Sequence, residues 1–189
     1  MKNKDSIKPD AFAIQYGSLY AEIDGVQVLC THNAKGIFAP YSGDYGSYEG
    51  QNLYETQLQM DFMNEKNDGS PQVLLGDLQT GEGFPEQGIS ERWIGSYNLI
   101  TENGFVDSEP AKGEVPFCTA CPSFNEQSFN NNEDIFVDNI FVRNAQVSGI
   151  ERILDDEVTL TRENGETYTA FRSDHFGVQA TVAVEQSYW

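Results

Sequence analysis

Short apolar runs rich in β-branched residues recur along the chain, and each presents an acidic or histidine side chain within it or directly after it. Runs of this length, bounded by turn-forming residues, predict β-strands. The side chains in question are His32, Asp77, Asp138 and His175, and the sequence contains no other histidine. Acids and imidazoles grouped at strand ends are what a metal-assisted hydrolase pocket needs. The pattern therefore predicts a hydrolytic site built on a sheet.

The composition suits one globular domain with an acidic surface. The chain has 189 residues, of which 39% are hydrophobic and 12% aromatic, and this is enough to build a core. With 30 acidic against 11 basic residues the net charge is −19, which disfavours tight non-specific DNA binding through counterion release. No apolar stretch approaches the ~20 residues of a membrane-spanning helix. We predict a polar leader over residues 1–11 and one domain over residues 12–189.

Helical and strand patterns alternate in the first half of the chain, and strands follow one another in the second half. We predict helices over residues 48–66 and 89–101, the second with Ser90 as N-cap. Predicted strands cover residues 11–16, 19–23, 26–31, 72–77, 135–143, 145–153, 157–163, 166–172 and 176–185. Asp24-Gly25 and Asn164-Gly165 are hairpin turn signals, the second of type I′. This order predicts sheets layered with helices, an α/β protein of the α+β type.

The three cysteines divide into one strand residue and one close pair. Cys30 lies in an apolar run, which predicts an inert core position. Cys118 and Cys121 have a spacing used by local disulfides and by zinc sites, and no second Cys or His pair is near enough to complete a zinc site. A loop disulfide is therefore the favoured interpretation. It implies an oxidising compartment and favours a secreted, extracellular location.

Four short motifs occur in a fixed order along the chain. They are T-H at Thr31-His32, G-D-L-Q from Gly76 to Gln79, V-D-N-I-F-V from Val137 to Val142, and S-D-H from Ser173 to His175. Each motif is weak by itself, but all four border predicted strands, and both histidines of the chain fall in histidine positions. Together they resemble the endonuclease/exonuclease/phosphatase superfamily over about residues 12–185.

The resemblance implies a deoxyribonuclease-I-like fold, in which two packed β-sheets form a sandwich flanked by helices. It also implies a divalent metal, usually Mg²⁺ with Mn²⁺ or Ca²⁺ as alternatives, and attack of water on a phosphate ester. The implied catalytic residues are His32, Asp77, Gln79, Asp138 and His175, and the implied metal ligands are Asp174 and Asp77. Hard oxygen ligands suit these cations, and an imidazole with a pKa near neutrality suits proton transfer.

Each residue has an implied role. His175 acts as the general base, and Asp138 orients its ring. Asp77 positions or protonates the reacting oxygens, and Gln79 contacts the phosphate. His32 serves as a second acid or phosphate contact.

Two departures from the family pattern leave alternatives open. The family usually has Asn where this chain has Gln79. The family's opening strands, which carry a metal-ligating Glu, precede the region seen here, so the sandwich is expected to be N-terminally incomplete.

A phosphodiesterase or nuclease acting on DNA or RNA is the first hypothesis, with sphingomyelin and inositol phosphates as alternative substrates. A non-catalytic binding or scaffold domain of the same fold is the rival. An incomplete sheet also predicts self-association through its exposed edge.

Overall fold

The computed structural model describes residues 2–7, 17–35, 45–108, 117–123, 125–128 and 133–184, so the strand predicted over residues 11–16 lies outside the described residues. The two helices are α1 (Tyr48–Lys66) and α2 (Ile94–Glu102), and a short 3₁₀ helix covers Pro85–Gln87. The strands are β1 (Lys2–Ile7), β2 (Ser18–Ile23), β3 (Val26–His32), β4 (Gln72–Asp77), β5 (Ile89–Ser90), β6 (Val106–Asp107), β7 (Asp134–Ile135), β8 (Asp138–Arg143), β9 (Gln146–Ile153), β10 (Glu157–Thr161), β11 (Thr167–Phe171) and β12 (Gly177–Ala183).

Within the described residues, the largest sheet has six strands in the order β1-β2-β3-β4-β8-β6. Strands β3 and β4 run parallel, and the other neighbours are antiparallel. Two-stranded sheets pair β9 with β12, β10 with β11, and β5 with β7. Strand β1 lies within the predicted leader and forms one edge of the large sheet. Strand β6 forms the other edge, and self-association through such an edge stays a prediction.

One face of the six-stranded sheet packs against both helices and forms the main core. The fully buried side chains there are Tyr20, Leu29, Met60, Met63, Leu74, Leu78, Ile100 and Phe141. Burying a side chain of this size stabilises the fold by ~1.5–3 kcal/mol. In the part of the chain that the structure describes, neither helix is long and apolar enough to cross a membrane.

Helix α1 has the predicted bounds, but its first half faces the sheet with polar side chains. The hydroxyl of Ser47 caps the helix by accepting from Gly50 N at 2.9 Å. Leu53 is 40% exposed. The buried polar positions of α1 are Gln51, Asn52, Glu55, Thr56 and Gln59. Glu55, Thr56 and Gln59 are hydrogen-bond partners of Asn33 and Ala34, which follow β3. Gln51 donates to Glu55, and Asn52 donates to Leu78 O.

The opposite face of the sheet corrects the prediction for Cys30. Because side chains alternate along a strand, Leu29 points into the core and Cys30 points to the other face, where its side chain is exposed. Leu19 pairs with Cys30 across β2 and β3 and is 52% exposed. Cys30 is therefore a partly solvated residue and not a core residue.

Two further local predictions were wrong. Ile89 and Ser90 form β5, which pairs with β7, and α2 begins only after Trp93. Pairing to a distant strand thus overrides the helical pattern. At the β10–β11 hairpin, Gly165 has a positive φ but Asn164 does not, and the loop is closed between Arg162 and Glu166. This matches a three-residue loop and not a type I′ turn. The Asp24-Gly25 hairpin signal is confirmed, with both φ values positive.

Arg143 at the end of β8 ties both helices to the sheet, and we expect its replacement by methionine to lower the free energy of unfolding by about 2–3 kcal/mol. Its guanidinium donates to Met63 O at 3.1 Å and to Asn103 O at 2.8 Å, which are carbonyls at the ends of α1 and α2. Methionine would leave both carbonyls without these donors. Urea denaturation followed by circular dichroism measures the change. The exposed Arg162→Met is the control, and a loss no larger than the control's would contradict the prediction.

Candidate active site

Three of the predicted side chains form one row across the sheet. In the strand register, His32 of β3 is the partner of Asp77 in β4, and Asp77 is the partner of Asp138 in β8. Gly76 makes the close approach of β3 and β4 possible, because a Cβ on it would overlap the carbonyl oxygen of Thr31. Strand pairing alone therefore brings together residues that are far apart in sequence.

His175 reaches this row from the turn that precedes β12. Its Nδ1 lies 2.8 Å from Asp138 Oδ2 and 3.9 Å from Asp77 Oδ2. The turn is held by Asn125, whose amide donates to Ser173 O at 3.0 Å, and by Phe176 N, which donates to Thr119 O at 2.8 Å. The predicted contact between Asp138 and His175 is thus present in the structure.

The opposite side of Asp77 is occupied by His32 and Gln79. His32 Nε2 lies 3.2 Å from Asp77 Oδ2, and the His32 side chain is 41% exposed. Gln79 is fully buried, and its amide donates to Asp77 Oδ1 at 2.7 Å. The amide of Gln79 thus holds the Asp77 carboxylate. The contact between Gln79 and a phosphate stays a prediction.

A lysine that the sequence motifs did not indicate also belongs to the site. Lys35 Nζ lies 3.4 Å from His175 Nε2 and 3.8 Å from Asp174 Oδ2. An ammonium can only donate, so His175 Nε2 is the acceptor in this contact, and Nδ1 carries the proton given to Asp138. In the neutral form of His175, the lone pair of Nε2 therefore faces Lys35.

Burial and neighbouring charges perturb the central pair. Burial raises the pKa of Asp138, and so does the charge of Asp77, whereas the hydrogen bond and charge of His175 oppose the rise. Burial alone would lower the pKa of His175. The hydrogen bond to Asp138 and the charges of Asp138 and Asp77 outweigh it, so the pKa of His175 lies above its ordinary value, although Lys35 opposes this shift. Perturbed groups in hydrogen-bond contact are typical of functional sites.

Thr119, which lies between Cys118 and Cys121, is a second residue of the site that the sequence motifs did not indicate. Cys118 and Cys121 form the predicted disulfide. The hydroxyl of Thr119, between them, accepts from Val137 N at 3.1 Å and from Asp138 N at 3.2 Å. Thr119 thereby fixes the start of β8, while its carbonyl anchors the turn that carries His175. The loop is therefore a support for the Asp138–His175 pair.

Three of these side chains are placed so that they could bind a divalent cation together. Asp77, Asp138 and His175 each offer one ligand atom, and these three atoms lie within 4.8 Å of one another. Two carboxylate oxygens and one imidazole nitrogen form a donor set that divalent cations use. In the described chain, Asp174 stands outside this group and contacts Lys35. Its role as a metal ligand stays a prediction.

Comparisons with known proteins bear on the fold. No protein-family model matches the chain, and no curated protein matches its sequence. Solved structures do match. An endonuclease/exonuclease/phosphatase family protein of Bacteroides thetaiotaomicron has 20% identity and a TM-score of 0.57 over 90% of this chain and 55% of its own. TDP2 of Caenorhabditis elegans has 16% identity and a TM-score of 0.60 over 97% of this chain and 50% of its own.

A mutant beta toxin of Staphylococcus aureus, solved with bound magnesium ions, has 17% identity and a TM-score of 0.54 over 90% of this chain and 57% of its own. The chain thus spans between 50% and 57% of the length of these three proteins. The predicted sandwich fold with helices on a sheet is confirmed by these likenesses. The chain therefore shares the fold of these proteins, a deoxyribonuclease-I-like α/β sandwich.

Proposed function

We propose that this chain carries the catalytic part of a phosphodiesterase that depends on a divalent metal. The observation that carries the proposal is the Asp138–His175 pair at 2.8 Å, with Asp77 3.9 Å from the same imidazole nitrogen. A carboxylate that accepts the proton of one ring nitrogen keeps the lone pair on the other, where it can take a proton from water. The fold supports the proposal, because its neighbours include an endonuclease/exonuclease/phosphatase family protein.

The chemistry follows from these positions. His175 Nε2 takes a proton from water, whose oxygen forms a bond to phosphorus, and Asp138 stabilises the imidazolium that results. The bond from phosphorus to the leaving oxygen breaks, and that oxygen receives a proton from the protonated imidazole of His32, whose Nε2 lies 3.2 Å from Asp77 Oδ2. Gln79 holds Asp77 in place during this step.

A divalent cation would be held by carboxylates of the site, with Asp77 and Asp174 as the predicted ligands. When bound, it would neutralise charge on the phosphate oxygens. The beta toxin neighbour that contains magnesium ions supports Mg²⁺ as the first cation to test. Mn²⁺ and Ca²⁺ are the alternatives.

The test is an assay of one preparation against plasmid DNA, RNA, sphingomyelin and an inositol polyphosphate, with Mg²⁺ and with EDTA. We expect turnover of a phosphodiester that EDTA abolishes, with a nucleic acid as the first substrate to examine. Turnover that persists in EDTA would refute the mechanism. Absence of turnover on every substrate, together with no saturable Mg²⁺ or Mn²⁺ binding in isothermal titration, would favour the non-catalytic scaffold.

A further inference from the structure

We propose that Lys35 binds a non-bridging oxygen of the phosphate ester, and that the chain thereby supplies a cation of its own next to the general base. The inference rests on the proposed function, because it assigns a substrate contact to the same site. It concerns a residue outside the four sequence motifs, in the segment that follows His32. What carries it is the position of the Lys35 ammonium, 3.4 Å from His175 Nε2.

The position of the ammonium follows from the polar face of α1. Directly before Lys35, Ala34 N donates to Glu55 Oε2 at 2.7 Å, and Glu55 is fully buried. Asn33 N donates to Asp77 O at 2.9 Å, which continues the β3–β4 pairing beyond the strand. The backbone that carries Lys35 is therefore fixed to both the helix and the site. A lysine side chain only 10% exposed is unusual for a surface loop and indicates a constrained placement.

The distance places the ammonium within reach of a reacting phosphate. Water activated by His175 Nε2 must lie within hydrogen-bond distance of that nitrogen, and the phosphorus it attacks lies directly beyond it. Lys35 Nζ is 3.4 Å from the same nitrogen, so oxygens of that phosphate come close to the ammonium. An anionic oxygen is a stronger acceptor for an ammonium than a neutral imidazole nitrogen is. The phosphate is thus the preferred partner once it is bound.

The charges of the site also favour binding of a phosphate oxygen by Lys35. A phosphodiester is an anion, and it must approach the carboxylates of Asp77, Asp138 and Asp174. Like charges a few ångströms apart repel one another, and the repulsion is stronger where water is partly excluded. A lysine among these carboxylates offsets the repulsion at the place where the phosphate binds. The same ammonium lies 3.8 Å from Asp174 Oδ2.

Binding of inorganic phosphate to the full chain in EDTA tests the inference without requiring turnover or metal. The two histidines, labelled with ¹⁵N, give separate imidazole signals, and the shift of the His175 signal on phosphate addition yields a dissociation constant. We expect Lys35→Met to raise this constant roughly 10- to 100-fold, the loss of one charge-assisted hydrogen bond. Lys35→Arg should restore most of the affinity, since it keeps the charge.

Arg162→Met is the matched control, because it removes an exposed positive charge from the β10–β11 hairpin and should leave phosphate binding unchanged. If Lys35→Met does not fold, as judged by its amide spectrum, Lys35→Gln takes its place with the same expectation. Unchanged affinity in the neutral variant, an equal loss in Arg162→Met, or no phosphate binding by the unmodified chain would each overturn the inference. Phosphate binding that depends on Lys35 in a chain without metal-dependent turnover would uphold the inference and refute the proposed function.

Discussion

Replacement of Asp138 by asparagine is expected to lower kcat/KM by ~10²–10⁴-fold while the protein stays folded, which is the range typical for loss of a general base. The carboxylate lies 2.8 Å from His175 Nδ1 and stabilises the imidazolium that forms when Nε2 takes a proton. An amide has nearly the same shape but carries no charge, so it cannot provide this stabilisation. Steady-state kinetics on the substrate identified in the assay above measure the effect.

A carboxylate far from the site provides the matched control. Asp156 is exposed and lies 2.8 Å from Arg172. Asp156→Asn therefore also removes one negative charge, but at a position away from the row formed by His32, Asp77 and Asp138. It should leave kcat/KM unchanged. Full activity in Asp138→Asn, or an equal loss in Asp156→Asn, would rule out the assigned role.

Asp138 and His175 should also behave as one unit. His175→Ala is expected to cause a loss comparable to that of Asp138→Asn, and the double variant should be little worse than either single one, because each change removes the same base. Additive losses would mean that the two side chains act separately.

Most of the site could be predicted from the sequence because its side chains lie at the ends of strands. His32, Asp77 and Asp138 follow or begin runs whose strand character is visible from composition, and pairing of β3, β4 and β8 then places them side by side. The histidine that joins them lies directly before a recognisable strand. These are local patterns, and local patterns can be found in one sequence.

Features that depend on distant partners were not predictable. The apolar pattern predicted the bounds of α1 but not its buried face, because Glu55 and Gln59 are buried as hydrogen-bond partners of the chain after β3. Lys35 has no motif of its own, and its role emerges only when Asp174 and His175 are placed beside it. A single signal, its position three residues after His32, could have drawn attention to it.

The support of Asp138 by Thr119 leads to the second large effect, in which Thr119→Val lowers both stability and activity. The threonine hydroxyl accepts from the backbone N–H groups of Val137 and Asp138, and both residues lie where the chain enters β8. Valine has the same shape but no acceptor, so two N–H groups lose their partner, each at ~1–3 kcal/mol where they are buried. We expect the free energy of unfolding to fall by about 2–4 kcal/mol.

Activity should fall as well, because the released backbone carries the carboxylate that orients His175. A displacement of about 1 Å in such a group can lower the rate ~10²-fold. Thr119→Ser keeps the hydroxyl and should retain most of both properties, whereas Thr159→Val on exposed strand β10 should change neither. Urea denaturation and kcat measured in parallel on the three variants decide the matter. If Thr119→Val were as stable and active as Thr159→Val, the hydroxyl would have no part in holding Asp138.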